Sequence, residues 1–463
     1  MTHSETVHFV GVGGVGMSGI AAIASRLGMK VSGSDMKASR YTQQLVDAGV
    51  EVHIGHAAQN VPEDCDVVVA STAIPETNPE IIQARAAGIP VWQRAAMLAK
   101  LGEGKKTLAA AGTHGKTTTS SMLAQAIDAL GLEPSFVVGG IVGHYGTNAG
   151  YGAGDYYVVE ADESDGSFLR LSPYVALVTN VEADHLDHYT GGLAQIRQAF
   201  YDFMASVPDQ GAVVVCAQDP SLVELAQSTG KRVVTYGFTQ ESQVRVSDYA
   251  TKGVSSSFTV TFPDGTCIQA GLAKNPGMHN ALNTAGVLAV VWALGYDVEV
   301  AAAGLRDYAG VARRFDMKGE ADGVCVVDDY AHHPTEISAT LTAAAGLDFK
   351  RVVVLFQPHR YSRTQSLVDS FATCFVGADK LVVMDVYGAG EAPIEGVSGK
   401  LIADAVAASG TVAEVDYVAD FDATPQALLD ILQPGDLLLT MGAGTVTTIG
   451  PKVLSSLARR GQE

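Results

Sequence analysis

A chain of 463 residues with 47% hydrophobic side chains has material for several packed cores, about two to four domains at ordinary domain size. Its 30 basic against 50 acidic side chains give a formal charge of −20, which excludes the basic face of a general nucleic-acid binder. The acidity reads as a solvated surface and leaves nucleotide binding open, because a local loop overrides the average field.

Five cysteines, Cys65, Cys216, Cys267, Cys325 and Cys374, lie far apart without a CxxC pair. That spacing fits buried reduced thiols rather than a zinc site. The opening MTHSETVHFVGVGG leads almost directly into a strand and lacks the basic and long apolar regions of a secretory signal. No run reaches bilayer-spanning length, so membrane insertion is not expected and the expected compartment is the cytoplasm.

Three sections each open with a β-rich apolar run. The first has strand patterns at 7–12, 30–34 and 66–70 and a helical pattern over 17–27, and ends near Leu101, before a charged, glycine-containing linker at 102–106. Strands alternating with helices imply a parallel sheet. Between the first strand and helix, Gly11, Gly13 and Gly16 match GxGxxG, with Gly14 beside them. Such glycines let backbone approach a diphosphate at a helix N-terminus, and Asp35 follows the second strand at the spacing of a ribose-binding acid. This loop alone does not choose between a nicotinamide dinucleotide and a UDP compound.

The second section opens with a strand at 107–111 and runs into AGTHGKTTT. In such a loop backbone N–H groups cradle phosphates, Lys116 reaches the terminal phosphates and the Thr117 hydroxyl meets Mg²⁺. Ala110 stands where the general P-loop has its first glycine, so the loop is a variant. The strand 156–160 ends in Glu160, well placed for the Mg²⁺ of ATP, followed by Asp162, Glu163 and Asp165. For Glu163 and Asp165 a solvated acidic turn is as good a reading as a functional one. The strand 175–180 leads to Glu182, Asp184 and His185, where His185 reads as a metal ligand only weakly, since Mg²⁺ prefers oxygen. Residues 244–270 have the pattern of a small antiparallel sheet, and a helix is expected over 280–294. The third section starts near Val311, with strands at 324–328, 351–356, 380–385 and 436–440 and helices at 401–408 and 425–432.

Two phosphate loops in separate α/β units suggest two phosphate-bearing substrates. AGTHGKTTT, VEADESDGSF and TNVEADHLDHY, in that order, resemble the Mur ligases, and NPGMHNALN, GVARRFD, DDYAHHPTE, FQPHRYSRT and DVYGAGEAPIEG resemble the alanine-adding branch of that family. The likeness runs from about Phe9 to Gly444. It implies an α/β chain of three tandem domains: a Rossmann-like UDP-sugar domain at 1–102, a central P-loop ATPase-like domain at 103–311 and a Rossmann-like amino-acid domain at 312–463. It implies UDP-N-acetylmuramate and L-alanine as substrates, ATP and two Mg²⁺ ions, and a cytoplasmic role in peptidoglycan synthesis as a monomer or homodimer.

Residue roles follow from the same resemblance. The sugar nucleotide is expected at Gly11, Gly13, Gly14, Gly16, Met17, Ser34, Asp35, Ser71 and Thr72. ATP is expected at Gly112, Thr113, His114, Gly115, Lys116, Thr117 and Thr118, with Asn280 and Asn283 holding the adenine from one helix face. Thr117, Glu160 and His185 are the expected metal ligands. Arg314 and Asp329 are expected to close onto ATP; Tyr330, His332, His359, Arg360 and Arg363 lie near the alanine and the sugar nucleotide. The catalytic set is then Lys116, His185, Arg314, Asp329 and His332, with His332 a candidate base for the amine. Several relatives use a carboxylated lysine, but residues 185–208 contain no lysine. A dehydrogenase leaves the second loop unexplained, and a P-loop binding module leaves the arginine- and histidine-rich third domain unexplained. A ligase re-attaching a recycled tripeptide is the nearest alternative, from which EADES and QPHRYSRT are expected to differ.

Overall fold

The computed structural model describes residues 4–71, 73–182 and 189–460. It contains three sheets, as the three-domain α/β expectation requires. The chain forms two compact units: Met1–Asp248 with Phe258–Gly271 and Leu282–Tyr308, and Tyr249–Ser257 with Leu272–Ala281 and Ala309–Glu463.

The first sheet comprises β1 (Thr6–Val10), β2 (Lys30–Asp35), β3 (Glu51–Ile54), β4 (Val67–Ala70) and β5 (Val91–Gln93), in the order β3-β2-β1-β4-β5. All its pairings are parallel, so the chain leaves every strand at the same end. β1 and β4 are buried throughout, as expected of strands covered on both faces.

The second sheet runs through β6 (Lys106–Ala111), β7 (Ser135–Val142), β8 (Thr147–Gly150), β9 (Tyr156–Ala161), β10 (Val175–Val178), β11 (Ala212–Cys216), β12 (Val233–Gly237), β13 (Val244–Lys252), β14 (Ser255–Thr261) and β15 (Cys267–Leu272). Its order is β15-β14-β13-β12-β11-β10-β6-β9-β7-β8. The small antiparallel sheet expected over 244–270 is therefore not a sheet of its own. β13 pairs in parallel with β12 through Tyr236↔Val244 and Gly237↔Arg245, so the three strands extend the larger sheet. An uncovered β12 edge would expose a row of unpaired backbone groups, which this pairing satisfies. The linker is also shorter than expected: Lys106 already belongs to β6, and Gly102 lies against the Tyr157 ring.

The third sheet is β16 (Asp316–Ala321), β17 (Val324–Asp329), β18 (Arg351–Phe356), β19 (Lys380–Met384), β20 (Glu414–Val418) and β21 (Asp436–Met441), in the order β16-β17-β21-β18-β19-β20. β16 alone is antiparallel to its neighbour. Phe356 packs against Phe371 and Phe375 at centroid distances of 5.6 and 5.2 Å. Four of the five free cysteines are buried, while Cys267 is exposed on β15, correcting the expectation for that thiol. No helix among the described residues is long and apolar enough to cross a membrane.

A buried polar knot underlies the end of the first sheet. Glu80, with no exposure, accepts the Ser34 hydroxyl at 2.5 Å, the Asn60 amide at 2.6 Å and the Ala57 N–H at 3.1 Å. His8 Nε2 and His56 Nδ1 each lie 3.5 Å from the same carboxylate. Burial alone would raise its pKa, but His8, Ser34, Asn60 and Ala57 outweigh burial and hold it at about 2, against an ordinary 4.5. Because the folded value is the lower one, this stabilisation is fully present above pH 4.5 and disappears as the pH falls towards 2. A shift of that size corresponds to about 3 kcal/mol. Glu80→Ala is expected to lower stability at pH 7 by about 2–3 kcal/mol and to flatten the acid limb between pH 4.5 and 2. Denaturant melts of a Trp292→Phe background, in which Trp92 of β5 is the remaining tryptophan, would read this directly; an unchanged acid limb would assign the acid sensitivity to other carboxylates.

Candidate active site

The first glycine loop joins β1 to the helix Val15–Arg26. Its Gly11 and Val12 N–H groups donate to the Ser34 carbonyl at 2.8 and 2.9 Å. The Gly13 N–H donates to Asp35 Oδ2 at 2.8 Å, and a Cβ on Gly13 would fall 2.8 Å from that oxygen, so no side chain fits there. Asp35 also accepts the Lys37 N–H at 3.2 Å. Its carboxylate thus organises the loop, whatever else it contacts. Gly14 is the residue before the helix, Gly16 and buried Met17 lie in its first turn, and Ser71 follows β4 with its N–H on the Val10 carbonyl at 3.2 Å. These expected sugar-nucleotide residues share the C-terminal edge of one parallel sheet, where α/β folds bind ligands. Thr72 lies outside the described residues.

The second loop leaves β6 for the helix Lys116–Ala129. Gly112 has φ +136°, and a Cβ there would fall 2.1 Å from Thr179 Oγ1. Glycine is required on both counts. Lys116 Nζ donates to the Gly112 carbonyl at 2.8 Å, the Thr113 carbonyl at 3.1 Å and Glu163 Oε1 at 2.9 Å. Burial disfavours this ammonium, but the charges of Glu163, Asp162 and Glu160 outweigh burial and raise its pKa above the lysine range. Thr117 Oγ1 donates to Glu160 Oε1 at 3.0 Å, and Glu160 Oε2 accepts the Gly139 N–H at 2.7 Å. A hydroxyl and a carboxylate side by side are hard oxygen donors of the kind Mg²⁺ takes.

The end of β10 closes the loop from the other side. Thr179 Oγ1 donates to the His114 carbonyl at 2.6 Å, the His114 N–H to Asn180 Oδ1 at 2.8 Å and the Glu182 N–H to Thr113 Oγ1 at 2.8 Å. The Thr118 carbonyl accepts the Ser121 hydroxyl at 2.8 Å. His185 lies outside the described residues. The expected helix is Met278–Ala293, with Asn280 and Asn283 both buried. Asn283 Oδ1 would sit 3.1 Å from a Cβ on Gly115, while Asn280 Nδ2 donates to the Asn275 and Pro276 carbonyls at 3.2 and 3.1 Å. Asn280 therefore fastens the NPG turn.

In the second unit Arg314 lies 4.9 Å from the Tyr330 ring centroid. Asp329 accepts the Phe315 N–H at 2.7 Å and the Ala331 N–H at 2.8 Å. Burial pushes its pKa up to about 6, against the pull of Arg314. Rings of Tyr330 and His332 meet at 5.3 Å, His332 and His359 at 5.7 Å, and His359 stacks on Tyr387 at 5.8 Å. Arg363 Nη1 is 3.5 Å from His359 Nδ1, and Arg360, at φ +69°, precedes the short helix Tyr361–Ser366. Burial lowers His332 to about 4 and His359 to about 3, with the charge of Arg363 acting in the same direction on both.

Three participants were not legible as such. Glu163 is 2% exposed and ion-paired with Lys116, not a solvated turn. Arg94 reaches Asp162 at 3.8 Å, and Glu336 accepts the His332 N–H at 3.0 Å. The four-residue spacing of His332 and Glu336 at a helix start was the available signal for the last.

Two glycine phosphate loops, a lysine and a threonine set against strand-end carboxylates, and a separate arginine–histidine cluster match one class of protein. Residues 6–106 match the Mur ligase family catalytic domain, 110–291 the Mur ligase middle domain, and 313–444 the Mur ligase glutamate ligase domain. The chain belongs to the Mur ligase family. Among its relatives, the UDP-N-acetylmuramate–L-alanine ligase of Geobacter sulfurreducens is 47% identical over 454 residues, 98% of each chain. The enzyme of the same name from Thermobifida fusca is 47% identical, covering 97% of this chain and 96% of its own. The crystal structure of the UDP-N-acetylmuramate–alanine ligase of Thermotoga maritima superimposes with a TM-score of 0.83 at 30% identity, covering 100% of both chains. A murein peptide ligase of Psychrobacter arcticus shares the fold at a TM-score of 0.72 and 24% identity, over 98% of this chain and 99% of its own.

Removing Glu163 leaves the part-buried Lys116 ammonium on two carbonyls. Glu163→Ala is expected to cost about 3 kcal/mol in a chemical melt, with Glu163→Gln intermediate. A loss below about 0.5 kcal/mol, the range of neutral surface changes, would show that the pair contributes nothing to the fold.

Proposed function

We infer that this chain joins L-alanine to the lactyl carboxylate of UDP-N-acetylmuramate, coupled to cleavage of ATP to ADP and phosphate, in peptidoglycan synthesis. The carrying observation is full-length 47% identity to ligases of that name, in a chain where Lys116 lies on the Gly112 carbonyl and the Thr117 hydroxyl on Glu160. The family's use of ATP supports the nucleotide. The domain limits expected above, near residues 102 and 311, belong to the same reading, as does a cytoplasmic location.

A carboxylate is a poor acyl donor, because oxide would have to leave. Attack of the lactyl carboxylate on the γ-phosphate of ATP gives an acyl phosphate and releases ADP. The alanine amine then attacks the acyl carbon, and phosphate leaves. Phosphoryl transfer asks for positioning and charge neutralisation rather than covalent help. Gly112–Thr118 amides hold the phosphates; Lys116 supplies fixed positive charge at the terminal ones. Glu160 and Thr117 would hold Mg²⁺, which neutralises charge on the phosphate oxygens. Arg314 adds a second cation, and the glycine loop at residues 11–16 holds the UDP diphosphate at a helix N-terminus.

The amine must lose its proton before attack. With a pKa of about 4, His332 is a weak base at neutral pH and fits a hydrogen-bonding role in placing the amino acid better than proton removal. His332→Asn is accordingly expected to raise the KM for alanine while leaving the pH at which kcat/KM rises unchanged. A limb present in the native enzyme and missing from the variant would restore His332 as the base.

Phosphate release with ATP, Mg²⁺ and UDP-N-acetylmuramate, with and without L-alanine, tests the whole reading. Release dependent on both co-substrates is expected. Release only with a tripeptide would move the chain to the recycling reaction.

A further inference from the structure

The two arginines of GVARRFD have different surroundings. Both guanidinium carbons lie 4.9 Å from the Tyr330 ring centroid. Arg314 also lies 4.0 Å from Glu336. Arg313 instead directs its donors into the fold. Its Nη2 donates to the Gly442 carbonyl at 2.5 Å and the Gly444 carbonyl at 3.2 Å, and its Nη1 to the Ala443 carbonyl at 3.3 Å. Its Nε lies 3.4 Å from Asp328, a fully buried carboxylate that also accepts the Thr440 and Thr447 hydroxyls at 2.8 and 2.6 Å.

The backbone between these arginines is strained. Arg313 has φ +66° and Phe315 φ +47°, so Arg314 stands between two left-handed non-glycine residues. Such conformations persist only where surrounding contacts over-determine them. Here the Arg313 N–H donates to Asp316 at 3.1 Å, its carbonyl accepts the Tyr330 N–H at 2.7 Å, and the Phe315 N–H is held by Asp329 at 2.7 Å. A lysine at 313 would keep the charge but not the planar fork that spans three carbonyls and a carboxylate.

We propose that Arg313 is a positioning residue for Arg314: anchored on the 442–444 carbonyls and on Asp328, it fixes the strained turn and the Tyr330 ring that together aim Arg314. The proposal rests on the ligase reading in which Arg314 meets the ATP phosphates. The Arg313 donors are taken up by the 442–444 carbonyls and its Nε faces Asp328, so its effect passes through its neighbour.

Non-additivity tests this. ATP affinity by titration, kcat, KM for each substrate and thermal melts are measured on the full chain for wild type, Arg313→Lys, Arg314→Ala and the double variant. Arg313→Lys is expected to lower kcat/KM for ATP by about tenfold, in the range of coupled neighbours, and to leave the KM for the sugar nucleotide within about twofold. In the Arg314→Ala background the same change should add nothing to the loss of ATP affinity. Losses that multiply, or a lower melting temperature with unchanged kinetics, overturn the proposal. Should Arg313→Lys not fold, Tyr330→Leu replaces it in the same cycle, and additivity there counts equally against the proposal. Native enzyme without alanine-dependent phosphate release would instead remove the ligase reading itself.

Discussion

The site depends on one constraint, the register of three parallel strands. β6 pairs with β9 so that Ala110 faces Glu160 and Ala111 faces Ala161, and with β10 so that Ala111 faces Val178. Parallel pairing brings all three chain exits to one edge. The phosphate loop, the acidic segment after Glu160 and the turn after Val178 must therefore converge. A slip of one residue would send Glu160 to the opposite face, away from Thr117 and the Gly139 N–H. The register resists slipping because these strands are apolar and buried on both sides: Leu108 to Ala111, Tyr157 to Val159 and Val175 to Val178 are essentially unexposed. The hydrophobic effect in the sheet thereby fixes the geometry of a polar site.

That dependence explains which features could be read from sequence. Unbroken β-branched runs such as RVVVLF and AVVVC mark central strands, and β18 and β11 fall at Arg351–Phe356 and Ala212–Cys216. The glycine loops were legible because their φ values and close approaches admit few other residues. Partnership was less legible. For Glu163 in ADESD a solvated turn and a functional role are equally good readings, and only the fold shows it buried against Lys116, 47 residues away. The attachment of β13 to β12 rests on two residue pairs after a turn, too short a pattern to distinguish an extended sheet from a separate one. The adjacent arginines at 313 and 314 are the same residue type; the 442–444 carbonyls that separate them by role come from the far end of the domain.

Charge is arranged locally against a strongly acidic whole. Around Lys116 the carboxylates of Glu163, Asp162 and Glu160 hold one part-buried cation, and the Asp162 pKa stays depressed because Lys116 and Arg94 outweigh its burial. In the third domain the logic reverses. His332 and His359 are kept neutral at physiological pH by burial and neighbouring arginines. Positive charge there resides on Arg314, Arg360 and Arg363, whose planar guanidinium groups present several donors in a fixed array. The histidines contribute directional hydrogen bonds instead.

Asp329 shows how the strained turn and the charge pattern are joined. Its two oxygens are engaged by the Phe315 and Ala331 N–H groups, which directly follow Arg314 and Tyr330 in the chain. Charge-assisted bonds from a carboxylate to backbone N–H groups are stronger than neutral ones. Yet burial holds this carboxyl at about 6, close to protonation near neutral pH. Protonation would weaken both bonds and loosen the turn carrying Arg314 and Phe315 at once. The acid therefore keeps a costly backbone in place, and an arginine carried on such a turn is already ordered, with less conformational freedom left to lose on binding a ligand.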